Sequence, residues 1–175
     1  MKALIVYESM FGNTEAIAHV VAERLKASFD VTLADVRVMP PVGDADLLIV
    51  GAPTHAFSMS RPRTRADAIR HGTTVGAGVP GIGIREYLDY TPWLTGMYAA
   101  AFDTRMRKPL LPGSAACKAY RRLHALGCHM VAPPKSFHVV GITEPLIDGE
   151  PDQARRWADA ITATVLTARR TTPAA

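Results

Sequence analysis

Cysteine is scarce in this chain of 175 residues: Cys117 and Cys128 are the two present, and their spacing fits neither a metal pair nor a redox pair. Both thiols are expected to be buried, in a reducing compartment. Long apolar runs are also missing. No stretch approaches the roughly 20 residues that a membrane helix needs, which argues against membrane insertion. The apolar run at the N-terminus is short and ends in Tyr7-Glu8, so it reads as a core strand and not as a secretory signal. Together these absences predict a cytoplasmic protein. A concentrated basic tract is lacking as well. The net charge is +4 and the pI about 9.3, but the basic residues are scattered in small groups such as Arg61/Arg63/Arg65, Arg121/Arg122 and Arg155/Arg156. That pattern suits solvated helix faces, and no nucleic-acid partner is expected. The six histidines show no metal-ligand spacing, no internal repeat is visible, and Ser9 sits in no nucleophile elbow.

What the chain does have is strand–helix alternation. With 48% hydrophobic residues, residues 1–170 are long enough for one domain with a real core, followed by a disordered tail at 171–175. Strands are predicted at 2–8, 31–36, 46–52 and 97–102, and a fifth at 129–132 that resumes after Pro133-Pro134 through residue 140. Helices are predicted at 13–27, with Ile17, Val20, Val21 and Leu25 on one stripe, at 114–126 behind a Ser114 cap, and at 151–168. The continuous apolar run at 46–52 suits a strand covered on both faces. Such alternation implies a parallel sheet with helices on both faces, and right-handed crossovers bring the strand C-termini to one rim where ligands bind.

The loop Ser9-Met10-Phe11-Gly12-Asn13-Thr14 lies at that rim, between an apolar strand and a helix. The first N–H groups of a helix have no partner within it and the helix dipole favours negative charge there, so this is an anion site. Ser9 and Thr14 add hydroxyl donors and Asn13 an amide. The loop holds no Lys or Arg, and the Gly-Lys-Ser/Thr ending of a P-loop is absent. A phosphate here would be held by dipoles. The segments after the third strand, Pro53-Thr54-His55-Ala56-Phe57, and after the fourth, Asp103-Thr104-Arg105, converge on the same rim.

At these residues the chain resembles the flavodoxins and other flavodoxin-like FMN-binding proteins, whose first loop reads Ser/Thr-x-Thr-Gly-Asn-Thr. The match is strongest at Gly12-Asn13-Thr14-Glu15, and Gly51-Ala52-Pro53-Thr54 is similar to the second flavin loop. The resemblance implies a flavodoxin-like three-layer sandwich whose five-stranded parallel sheet has the order 2-1-3-4-5. It implies bound FMN, with Ser9, Met10, Phe11, Gly12, Asn13 and Thr14 around the phosphate. Around the ring it implies Pro53, Thr54, His55, Ala56, Phe57, Asp103, Thr104 and Arg105. Met10 and Phe11 replace positions that are often hydroxylated, which removes some side-chain donors. His55 stands where an aromatic ring often meets the flavin, with Phe57 as an alternative. Ala56 lies near a glycine whose peptide flips on reduction, a flip that a Cβ hinders. Arg105 could lie near the N1/C2 edge of the ring, or be a surface residue paired with Asp103 or solvent.

The function implied is an FMN-dependent redox protein. Either it transfers electrons to and from a redox partner protein, or it takes hydride from NAD(P)H and reduces a small quinone-like acceptor. The basic composition and Arg105 favour a two-electron-reduced anion, hence a higher potential. The alternative from a different class is a flavin-free interaction or phosphate-binding module. Of the remaining features, Gly76-Ala77-Gly78-Val79-Pro80-Gly81 matches a dinucleotide fingerprint but lacks the strand–turn–helix context and reads as a flexible loop. Residues 57–96 are long for one crossover, with helices expected from a Ser60 cap to about His71-Gly72 and again at 85–90. With Tyr87, Tyr90 and Trp93, this segment could be a lid, a substrate wall, a contact in a homo-oligomer or plain packing.

Overall fold

The computed structural model of the chain describes residues 1–55, 58–70, 81–107 and 113–171, with the backbone alone at 68–70. Ala56, Phe57, the glycine-rich run at 76–80, the helix stop at 71–72 and the tail at 172–175 lie outside the described residues.

The elements follow the alternation: β1 (Lys2–Tyr7), α1 (Asn13–Leu25), β2 (Asp30–Asp35), β3 (Leu47–Pro53), α2 (Pro62–Arg70), α3 (Ile84–Tyr90), β4 (Tyr98–Met106), α4 (Ala115–Ala125), β5 (His129–Met130), β6 (Lys135–Val139) and α5 (Glu150–Thr171). All strand pairs are parallel, in the order β2-β1-β3-β4-β5, and β6 also pairs with β4. Strand side chains alternate between faces. Ala3, Ile5, Leu47, Ile49, Ala100 and Phe102 face α1 and α5, while Leu4, Val6, Leu48, Val50, Ala99 and Ala101 face α3 and α4. That is why β3 shows no polar alternation. On α1, Ile17, Val21 and Leu25 are fully buried and Val20 sits at the margin; on α5, Ala154, Trp157, Ala158, Ile161 and Val165 are buried. Each fully buried Leu or Ile contributes about 1.5–3 kcal/mol. Among the described residues, no helix is long and apolar enough to cross a membrane.

The structure corrects the expected elements in three places. β4 runs on to Met106, because residues 102–106 pair with β6 residues 135–139; Asp103-Thr104-Arg105 is strand and not loop. The fifth strand is broken in two. Ala99 pairs with Met130 but Phe102 with Lys135, so the outer chain carries two extra residues between those pairs, and Pro133 and Pro134 supply no N–H for a ladder there. Ser60 does not cap α2: its Oγ accepts from Arg65 Nη1 at 2.7 Å, and Thr64 Oγ1 accepts from Arg61 N at 2.9 Å.

The helix at 84–90 is present, but its aromatics divide. Tyr87 packs in the core and donates to Pro40 O at 2.9 Å. Tyr90 and Trp93 are exposed beside the segment that bonds Leu94 N to Leu126 O, just ahead of β4. That is the amino end of the sheet, opposite the rim, so neither aromatic forms a lid over it.

Candidate functional site

β1 ends at Tyr7, and Glu8 N still donates to Gly51 O at 2.8 Å, so the chain leaves the sheet beside β3. Gly12 then takes φ +86°, a left-handed conformation that a Cβ makes unfavourable, and α1 begins at Asn13. The loop is organised from inside by Ser9. Its Oγ accepts from Gly12 N at 3.1 Å and from Glu15 N at 3.3 Å. Ser9 therefore acts as an acceptor within the loop, and it does not line the cavity beside it. Thr14 is likewise redirected: its buried Oγ1 shares a 2.7 Å hydrogen bond with Thr104 Oγ1. Asn13 Nδ2 donates to Glu144 O at 2.8 Å, which leaves its second amide hydrogen. The backbone N–H groups of Phe11, Asn13 and Thr14 make no hydrogen bond among the described residues.

These groups open on a cavity of about 250 Å³. Met10, Phe11, Asn13 and Thr14 line it from the α1 side, and Pro53, Thr54 and His55 from the end of β3. Thr104, Arg105 and Met106 contribute from β4, and Val139 and Ile142 from β6 and the loop after it. The sequence segments thus do converge on one rim, with exceptions. Gly12 shapes the loop without lining the cavity. Asp103 turns away from it altogether: fully buried, its Oδ2 accepts from Thr54 Oγ1 at 2.7 Å, Ser114 Oγ at 2.6 Å and Ala116 N at 3.1 Å. Thr54 Oγ1 also accepts from Ala115 N at 2.9 Å. Asp103 is a pin joining β3, β4 and α4, and it is neither a surface acid nor the partner of Arg105. Arg105 Nη1 donates instead to Gly113 O at 2.8 Å, and its guanidinium is the one fixed cation on the lining among the described residues.

His55, at the cavity wall, exchanges backbone hydrogen bonds with Ser58, at 2.9 and 3.0 Å. Burial, reinforced by the Arg65 charge, holds the imidazole below its usual range. Residues 58–60 are clamped by one arginine. Arg85 donates to Ser58 Oγ at 3.2 Å, Met59 O at 3.0 Å and Ser60 O at 3.2 Å. Arg65, almost fully buried, donates to Gly81 O at 2.9 Å and pairs with Glu86 at 3.0 Å. Glu8 Oε2 accepts from Ile84 N at 2.9 Å. Burial pushes the Glu8 carboxyl up, against hydrogen bonds from Ser60 and Ile84 and the Arg65 charge. Gly83 admits the close approach, since a Cβ there would lie 2.5 Å from Glu8 Oε2 and 2.6 Å from Arg65 Nη1.

Sequence reasoning missed this network, and it missed Met106, Val139 and Ile142. The signal for the last two was available: in a parallel sheet the loop after the final strand reaches the same rim as the others. The Glu8–Arg65 network had no comparable signal, because its members are separated by long stretches of sequence.

No family model matches the sequence, and no curated protein matches it. Solved structures do. An oxidised flavodoxin 1 from Bacillus cereus is 18% identical, with a TM-score of 0.67 over 93% of this chain and 98% of that one. A flavodoxin from the domain Archaea is 20% identical, with a TM-score of 0.65 over 95% and 99%. A flavodiiron core from Synechocystis is 14% identical, with a TM-score of 0.63 over 96% of this chain and 36% of that one. Sheet order, helices on both faces and the span of these matches make the chain a flavodoxin-like α/β sandwich.

Proposed function

We propose that the rim cavity is an FMN site and that the chain is a redox protein. The observation that carries this reading is the set of N–H groups of Phe11, Asn13 and Thr14, which make no hydrogen bond among the described residues and stand at the positive end of α1 beside a cavity. A terminal phosphate fits that donor set, and an apolar-and-polar cavity next to it fits a heteroaromatic ring. FMN, when bound, supplies reversible one- or two-electron chemistry. The chain's residues do the rest. Phe11, Asn13 and Thr14 hold the phosphate with backbone dipoles, and Asn13 adds an amide hydrogen. His55, neutral near pH 7, walls the ring without adding charge. Arg105 supplies a positive charge at the lining, which favours a reduced ring bearing negative charge. That charge supports two-electron transfer from NAD(P)H to a quinone-like acceptor over single-electron exchange with a protein partner.

Titration of the purified protein with FMN and with riboflavin tests the site. FMN should bind at least about tenfold more tightly, since the phosphate gains charge-assisted hydrogen bonds that riboflavin cannot make. Equal affinities would remove the anion seat from the account. One observation favours a second reading, a flavin-free phosphate-binding module: Ser9 and Glu144 already satisfy part of the loop. Binding of inorganic phosphate with no perturbed flavin spectrum would support that reading.

A further inference from the structure

We propose that residues 140–144 form a strap whose position is set from the anion seat through Asn13, and that Ile142 on this strap is the second wall of the ring site. The inference rests on the FMN reading above.

The strap is a closed excursion. Val139 bridges Leu146 in antiparallel fashion, Val140 N donates to Pro145 O at 3.0 Å, and Ile147 N donates to His138 O at 2.9 Å. These bonds fix its base at the end of β6. Its far side is tied by the bond from Asn13 Nδ2 to Glu144 O, 2.8 Å long and spanning 131 positions of sequence. Asn13 is the first residue of α1, so the residue that secures the strap also stands at the helix N-terminus. A side-chain amide has two hydrogens. One is spent on Glu144 O, and the other remains for an anion oxygen. An anion that fixes the Asn13 rotamer therefore fixes the strap as well.

Ile142 is what the strap carries. It is 63% exposed and lines the cavity, the one large exposed hydrophobic residue among those described that does so. The lining at the end of β3 and just after it consists of Pro53, of Thr54, whose hydroxyl is engaged by Asp103 and Ala115 N, and of the imidazole of His55. A planar ring entering between them would cover Ile142 and remove its apolar surface from water. Phosphate and ring are thus coupled: a ligand holding both ends gains from a strap already placed by the first.

A double-mutant cycle with two ligands tests this. Wild type, Asn13→Ala, Ile142→Ala and the double variant are titrated with FMN and riboflavin, with quenching of flavin fluorescence as the readout. Riboflavin carries no phosphate, so loss of a phosphate donor cannot touch its binding. Asn13→Ala should nevertheless weaken riboflavin about three- to tenfold, the size of one hydrogen bond that holds the wall. Ile142→Ala should weaken both flavins by a similar factor and leave inorganic phosphate binding unchanged. In the Ile142→Ala background, Asn13→Ala should have little further effect on riboflavin, since it acts through Ile142. Ile142→Thr, which keeps the branch at Cβ, replaces alanine if the melting temperature falls. An unchanged riboflavin affinity in Asn13→Ala, or effects that simply multiply, overturns the strap while leaving the FMN site intact. Wild-type protein that binds neither flavin overturns both.

Discussion

His55 is the residue on which the pH behaviour of the site turns. Its imidazole is held below the ordinary value of 6.5 by burial first and the Arg65 charge second. In the unfolded chain the same group takes up a proton as the pH falls through that value, and in the folded chain it resists. Stability therefore declines from 6.5 downward until the folded group itself protonates. His55→Gln should flatten this slope in urea melts run between about pH 7.5 and 5.5; parallel slopes for the two proteins would show that His55 does not titrate as described. Glu8 acts in the opposite sense. Its carboxyl is raised above 4.5, so its contribution is lost as the pH rises past that value. At this scale the sequence disclosed positions better than partners. The loop from Ser9 to Thr14 was legible because an apolar strand, a glycine and a helix start follow one another. That Thr14 would turn inward to Thr104 was not, since the partner lies 90 positions away.

Among the elements, the junction of β3, β4 and α4 depends on a single buried side chain. Asp103 Oδ2 accepts three hydrogen bonds there, from Thr54, Ser114 and Ala116. Asp103→Ala strands two hydroxyls and a helix N–H in the interior. The loss should be roughly 2–4 kcal/mol in chemical denaturation, and a loss under about 1 kcal/mol would mean that the junction rearranges to satisfy those groups. From the sequence, the fourth strand ends at 102 and Asp103-Thr104-Arg105 lies beyond it. Within the fold their polar atoms meet the pin, the Thr14 hydroxyl and the Gly113 carbonyl, so the strand can continue. Helix faces were easier to read: the stripes of α1 and α5 repeat at helical spacing, which depends on nothing distant.

Over the whole molecule, the two halves of the sheet are locked together where Gly51 meets Phe102. A Cβ at Gly51 would stand 2.2–2.8 Å from the Phe102 ring. The ring cannot retreat easily, because Phe137 and Trp157 each meet it edge-on with centroids 5.8 Å away. Gly51→Ala should therefore destabilise the protein by about 1–3 kcal/mol and shift Trp157 emission; an unaltered melting curve would imply slack in that cluster. The overall architecture was legible because strand–helix alternation leaves few arrangements open. The paired prolines that divide β5 from β6 have a consequence for life in a crowded solution. They leave this margin of the sheet with two short ladders in place of a continuous one, so an extended segment from another molecule finds little to zip onto, and growth into cross-β aggregates is discouraged on that flank.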